Sequence, residues 1–392
     1  MNITRRNMLA AAAGLAATGG WPRGAEANAP QPALASLSDY EAAARERMAH
    51  MAWEYINGGA ADEATLRWNR EAFERVRLAP RALVDVSHLD TRVKLFGQEL
   101  PFPILLAPTA YHGLVHAEGE LATVRGAGAA NAAMVISTAA NTRVEEIAAA
   151  ATGPVWFQLY IQRDRGFTRD LVQRAVTAGC RALVLTVDTP VTGPRNRETR
   201  TGFALPAGLG LPNLQGLKVD ANAHRSREGS IYSPITDPSV TWKEIDWLRS
   251  FARVPVLLKG ILHPEDAALA VKAGASGLIV SNHGGRNLDT VPATIEALPP
   301  ITQRVAGRLP ILMDGGIRRG TDVLKALAYG ARAVLIGRPY LHGLGVAGAH
   351  GVTRVVEILR QEFEMAMALS GRASLAHLDR SLLWPPRNPR EK

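Results

Sequence analysis

The sequence predicts an α/β fold. It should be a closed barrel of eight parallel β-strands with helices outside, extra helices ahead of the first strand and a long loop after the fourth. Three observations predict it. Short apolar runs and helical stretches alternate eight times between residues 104 and 337. Most of the apolar runs lack polar alternation, as strands buried on both faces do. Polar residues gather where each run ends, the place where such barrels carry their chemistry. An open doubly wound sheet would instead show a glycine-rich turn after its first strand, and LAPTAYHG at 106–113 is not one.

The elements follow in order. Residues 1–27 read as an export signal. Thr4-Arg5-Arg6-Asn7-Met8-Leu9 is a twin-arginine pattern, a mild Ala/Gly apolar run follows, and Ala25-Glu26-Ala27 offers an A-x-A cleavage site. The expected location is therefore periplasmic, with any cofactor loaded before export. Residues 28–37 are a Pro/Ala-rich linker. From Ser38 the pattern turns helical, with capping residues at 38–41 and apolar positions spaced by three and four through Met51. WEYINGGAAD at 53–62 ends that helix at a glycine pair, and a second helix is expected over 63–73. Residues 96–100 look like a hairpin turn closing the barrel floor. Strands are expected over 104–108, 134–138, 155–160, 182–188, 255–259, 278–281, 311–314 and 333–337, with helices such as 264–273 and 321–329 between them. The fourth unit carries a loop over 191–240 rich in glycine, proline and charge, a candidate lid, partner surface or membrane contact. A helix over 351–370 ends the single barrel domain, placed at 38–375, and 376–392 read as a tail.

Composition narrows the function. The chain has 392 residues, 47% hydrophobic and 21% charged, which is ordinary globular usage. A pI near 10.0 raises nucleic acid as a partner, but Lys and Arg are scattered and no aromatic-interleaved basic stripe appears, so none is expected. An anionic substrate or a phosphate-bearing cofactor accounts for the charge as well. One cysteine, Cys180, excludes an internal disulfide and reads as a small buried filler. No stretch of the mature chain is long and apolar enough to span a membrane.

The chemistry centres on SNHGGRNLD at 281–289, directly after the apolar run 277–280. His283 can take a proton near neutral pH. Arg286 can hold a carboxylate through two parallel hydrogen bonds. Gly284 and Gly285 allow close backbone approach. A base beside an anion clamp suits chemistry on a carbon next to a carboxylate. Other run ends bring Pro108, Thr109 and Ala110; Ser137; Gln158 and Tyr160; Thr186 and Asp188; and Lys259. The last two units, DGGIRRGTDV and IGRP, place Gly315, Gly316 and Gly337 beside Arg318 and Arg338. That is a phosphate site of the kind barrels build after strands seven and eight.

LAPTA, WFQLY, LTVDTP, LLKG, SNHGGRNLD, VPAT, DGGIRRGTDV and IGRP, in this order and spacing, resemble the FMN-dependent L-2-hydroxy acid oxidase/dehydrogenase family, the group of glycolate oxidase, lactate oxidase and mandelate dehydrogenase. That family has the TIM-barrel fold. The likeness runs over about residues 40–370 and implies FMN as cofactor and no metal. The implied reaction oxidises a small 2-hydroxy carboxylate to its 2-oxo acid, with a quinone, a cytochrome or oxygen as electron acceptor. It also implies a homo-tetramer.

By the same resemblance, His283 is the base and Asp188 the carboxylate that stabilises its imidazolium. Arg286, Tyr55 and Arg195 hold the substrate carboxylate, with Arg197 the alternative to Arg195. Tyr160 bonds the hydroxyl or developing carbonyl oxygen. Lys259 lies at the flavin N1/O2 edge. Pro108, Thr109 and Ala110 line one flavin face, while Ser137, Gln158, Thr186 and Ser281 are expected at the ring. Asp314 holds the ribityl chain, and Gly316, Arg318, Gly337 and Arg338 the phosphate. Ala139 stands where glycolate oxidase has a large aromatic, which leaves room for a bulkier substrate side chain. Ile56 stands where some members have a second tyrosine. A different FMN barrel, such as an isomerase, would lack the set of His283, Arg286, Tyr55 and Asp188.

Overall fold

In the computed structural model, which describes residues 34–218, 231–232 and 236–385, eight parallel strands close into a barrel. They are β1 (Ile104–Leu106), β2 (Met134–Ser137), β3 (Val155–Leu159), β4 (Leu183–Thr186), β5 (Val256–Ile261), β6 (Gly277–Val280), β7 (Ile311–Met313) and β8 (Ala333–Ile336). β8 pairs with β1, Val334 opposite Ile104, which closes the ring. Every strand lies within two residues of its expected place. The reason is the one that made them legible: nearly all their residues are buried, so apolar composition and strand coincide.

Inward-facing residues fill the barrel. Leu105, Val135, Trp156, Val184, Leu257, Ile279, Leu312 and Leu335 form one buried cluster, one from each strand. Each such side chain contributes about 1.5–3 kcal/mol. The antiparallel hairpin Val93–Leu95/Gln98–Leu100 turns at Phe96 and Gly97 and adds Val93, Leu95 and Leu100 to that cluster. It is the expected floor.

The N-terminal helices correct the expectation. What the apolar spacing presents as one helix from Ser38 is two, α1 (Leu37–Arg47) and α2 (His50–Asn57). Ser36, not Ser38, caps α1, in a reciprocal capping box with Asp39. Met48 then takes an extended backbone (φ −75°, ψ 141°), and the chain turns. Side-chain periodicity runs through this break and cannot report it. Leu37 is buried, so the linker ends earlier than residue 37. The helix α3 (Ala64–Arg75) is capped from a distance: Asp289 accepts hydrogen bonds from the N–H groups of Ala64 (3.2 Å) and Thr65 (2.8 Å).

The far end differs as well. The last long helix begins at Arg338, directly after β8, and kinks at Ala347 and Gly348 before ending at Leu369. The described part of the expected tail, residues 376–385, packs onto the fold, and 386–392 lie outside the described residues. Leu382 is fully buried, Leu383 bridges to Leu78, and Trp384 N–H donates to the Arg77 carbonyl. The loop over 191–240 contains a short helix, Asn196–Arg200, and a 3-10 turn, Pro212–Leu214. Its end is tied down by Arg165, which pairs with Asp237 at 2.7 Å. The export signal, most of the linker, and 219–230 and 233–235 of this loop lie outside the described residues. Among the described residues no helix is long and apolar enough to cross a membrane.

Candidate active site

A cavity of about 350 Å3 opens at the C-terminal ends of the strands. Its wall contains every expected site residue except Asp188 and Ser281, which stand directly behind it. Asp188 accepts a hydrogen bond from His283 Nδ1 at 2.9 Å. Ser281 Oγ accepts from the His283 N–H (3.1 Å) and from Lys259 Nζ (3.0 Å). His283 sits in a left-handed backbone conformation (φ 58°), which turns its ring out of the end of β6.

Burial pulls the His283 pKa below the ordinary 6.5, and Asp188 pulls it back only in part. Asp188 is held below the usual carboxylate range: burial works against this, and His283 and its hydrogen bond overcome it. The imidazole is therefore neutral at pH 7. Nδ1 is committed to Asp188, so Nε2 is the free nitrogen. Thr189 Oγ1 donates to Asp188 (3.0 Å) and accepts from Asn287 Nδ2 (2.7 Å), which fixes the carboxylate. The glycine of LLKG makes this approach feasible. A Cβ on Gly260 (φ +110°) would lie 2.5 Å from Asp188 Cβ, and the pairing of β5 with β6 bulges there.

Two arginines finish helix α2. Its last carbonyls have no partner within the helix, and cations are favoured at that end. Arg286 donates to the carbonyls of Tyr55 (2.6 Å) and Gly58 (2.8 Å). Arg338 donates to those of Ile56 (3.0 Å), Gly58 (2.9 Å) and Gly284 (3.0 Å). Tyr55 is thereby delivered to the cavity, with the Arg286 guanidinium 5.0 Å from its ring centre. The Arg338 guanidinium, expected at the phosphate, is taken up largely by this bracing. Of the two candidate loop arginines, Arg195 enters the cavity, while Arg197 pairs with Glu63 (2.6 Å) and Glu54.

The opposite side is equally organised. Lys259 Nζ lies 3.1 Å from Asp314 Oδ2. Burial lowers the lysine's pKa, but Asp314 and Asp188 more than reverse it, so the side chain is charged. Gln158 accepts from Ser137 (3.3 Å) and the Thr138 N–H (3.2 Å), and donates to Thr186 (3.0 Å). Asp314 Oδ1 and Arg318 Nε are among the buried atoms without a hydrogen-bond partner in the described residues, with Glu41 Oε2 standing 3.8 Å from Arg318 Nε. An acceptor in the wall suits a sugar-alcohol hydroxyl, and a guanidinium donor suits a phosphate. With Lys259, the Gln158 ladder and the glycines at 315, 316 and 337, this donor set fits FMN.

Some contacts here were not among the expectations from the sequence. Thr109 Oγ1 contacts both His112 and Tyr340, and Tyr340 donates to the Ala107 carbonyl (2.8 Å). A reciprocal amide pair, Asn69 with Asn282 (2.9 and 2.8 Å), locks α3 to the loop after β6. Tyr111 and Phe203 flank Tyr55, with ring centres 5.4 and 4.5 Å away. Glu198 enters between Arg195 and Arg286. Thr189 and His112 lie inside recognisable motifs and could have been found. Glu198 and Phe203 belong to the irregular fourth loop and could not.

Comparison with known proteins agrees with this geometry. Residues 44–385 match the family described as FMN-dependent dehydrogenase. The chain is 47% identical to an L-lactate oxidase of Nostoc sp. over 89% of its length and 97% of that protein. It is 44% identical to glycolate oxidase 1 of Oryza sativa subsp. indica, over 90% of the chain and 96% of the relative. A crystal structure of mandelate oxidase with (S)-2-phenylpropionate superposes with a TM-score of 0.81 at 42% identity, over 89% of this chain and 98% of that one.

Proposed function

We propose that this chain, which belongs to the FMN-dependent dehydrogenase family and oxidises the CH–OH group of 2-hydroxy acids with FMN as cofactor, acts on the L-enantiomers of monocarboxylic 2-hydroxy acids with His283 as its base. One observation carries this reading. A neutral, carboxylate-braced imidazole stands in the same cavity wall as a pair of arginines. Arg286 and Arg195 bind the substrate carboxylate, and Tyr55 adds its hydroxyl. Burial raises the pKa of Tyr55 and Tyr160 above the ordinary phenol value, so both stay donors. Tyr160 bonds the substrate oxygen that becomes the carbonyl. His283 takes the proton leaving that substrate at Nε2, and Asp188 stabilises the imidazolium. When bound, FMN accepts the electron pair. Lys259 would keep a positive charge at the ring of a bound FMN, and Arg318 with the backbone at 316 and 337 would hold its phosphate.

The wall around Tyr55, Tyr111, Phe203 and Ala139 is aromatic and roomy, which supports substrates with bulkier side chains than glycolate. The names of the relatives favour oxygen as acceptor, while the twin-arginine signal and its periplasmic destination favour a quinone or cytochrome. Anaerobic titration of the purified yellow protein with glycolate, L-lactate and L-mandelate tests the reading. Bleaching of the flavin band supports it. A flavin that no hydroxy acid bleaches contradicts it and moves the chain toward an isomerase-like use of the same cofactor. Mixing the reduced protein separately with oxygen and with a quinone then assigns the acceptor, cell fractionation the location, and light scattering the proposed tetramer.

A further inference from the structure

The anion clamp already holds an anion of the chain's own. Glu198 Oε1 accepts one hydrogen bond from Arg195 Nη1 and one from Arg286 Nη2, both at 3.1 Å. The three side chains are largely enclosed, with 14%, 14% and 18% of the Arg195, Arg286 and Glu198 surfaces exposed. Other charged side chains around the cavity are engaged elsewhere, Arg338 with backbone carbonyls and the rest with opposite charges. His283 is neutral against Asp188, Lys259 faces Asp314, Arg338 is spent on carbonyls, and Arg318 lies by Glu41. The clamp itself therefore presents two cations and one anion, a net charge of +1.

That sum matters because the surroundings are poorly solvated. One carboxylate from a substrate brings the cluster to neutrality. A second would leave an excess negative charge among Tyr55, Tyr111 and Phe203, because the other cations of the cavity, Lys259, Arg318 and Arg338, are engaged with Asp314, Glu41 and backbone carbonyls. Uncompensated charge in such a place is costly. Burial and the neighbouring Arg195 both depress the Arg286 pKa, as expected of two guanidinia that need a counter-ion between them.

We propose that Glu198 sets the charge selectivity of the clamp, admitting 2-hydroxy monocarboxylates and rejecting dicarboxylates. This rests on the reading of Arg195 and Arg286 as the substrate-carboxylate site. Glu198 is a specificity residue and has no part in the redox step. It also keeps the two arginines together when substrate is absent.

The test uses propionate and malonate, which differ by one methyl-for-carboxylate exchange and have no hydroxyl to oxidise. Each is titrated into the full-length FMN-loaded protein at about pH 8, where both malonate carboxylates are ionised. Binding is read from the flavin absorbance and by calorimetry. Glu198→Gln keeps an oxygen acceptor of the same shape and removes only the charge. It should raise the affinity for malonate relative to propionate by about tenfold or more. Glu198→Asp, which keeps the charge, should restore a ratio near that of the parent protein. An unchanged ratio in Glu198→Gln overturns the proposal, and so does an equal loss of both acids, which would make Glu198 a mere strut. If the parent protein binds neither acid and no hydroxy acid reduces its flavin, the clamp reading itself has failed, an outcome distinct from a failed ratio.

Discussion

The loop after β6 and the loop after β4 meet at Glu198 and are built on opposite plans. The first is short and overdetermined. Gly285 (φ +73°) packs so closely that a Cβ would lie 2.8 Å from the Leu66 nitrogen, and its carbonyl accepts from the Ala60 N–H. Asn282 is paired with Asn69, and Asp289 caps α3. His283 and Arg286 are thus held at fixed positions between two helices and a strand end. The second loop is long and reaches the cavity through one five-residue helix and a few side chains, among them Arg195, Glu198, Phe203 and Leu214. Groups that must move a proton sit on the rigid frame, and groups that choose the substrate sit on the adjustable one.

Substitutions sharpen that contrast. Where the two meet, Asp188 follows β4 and braces His283, and Asp188→Asn keeps a hydrogen-bonding partner for His283 and removes its charge. It should slow substrate-driven flavin reduction by roughly 10²–10⁴-fold, measured by anaerobic stopped flow. On the rigid side, Arg286→Lys replaces a fork that serves two carbonyls and Glu198 with a point charge. KM for the hydroxy acid should rise about 10- to 100-fold in steady-state kinetics. Gly285→Ala forces a Cβ against Leu66 and should cost about 2 kcal/mol or more of stability, read by thermal unfolding. On the adjustable side, Phe203→Ala should move stability by less than about 1 kcal/mol and shift the preference between L-mandelate and L-lactate. A large loss of stability in Phe203→Ala with little in Gly285→Ala would reverse the comparison.

The pH profile separates the loops without mutation. His283 titrates below 6.5 in the folded protein, and the neutral ring is the base. The value of kcat/KM should therefore rise with pH through a point below 6.5 and stay flat across neutrality. Asp188 raises that pKa, so Asp188→Asn should move the acid limb to lower pH. Lys259, raised by its two carboxylate neighbours, stays charged throughout and adds no limb there.

Legibility in the sequence followed the same division. The strands were readable because their burial is nearly total, and the strand-end residues because short loops keep each motif next to its strand. The turn at Met48, the buried Leu382 and the bracing role of Arg338 were not. Each depends on contacts between distant segments, and local spacing carries no record of them. Glu198 is the clearest case: one acidic residue in a charged stretch acquires meaning only when Arg195 and Arg286 converge on it. Cys180 was legible from composition alone. It is buried, which pushes its thiol pKa up to about 12.

The most direct test of the account is anaerobic flavin reduction in His283→Ala. The variant should purify with FMN bound, because Lys259, Asp314 and Arg318 are untouched. Its reduction by the best L-2-hydroxy acid should fall by at least about 10²-fold at neutral pH. Reduction at a near-parental rate, with FMN bound and the acid saturating, would contradict the assignment of His283 as the base.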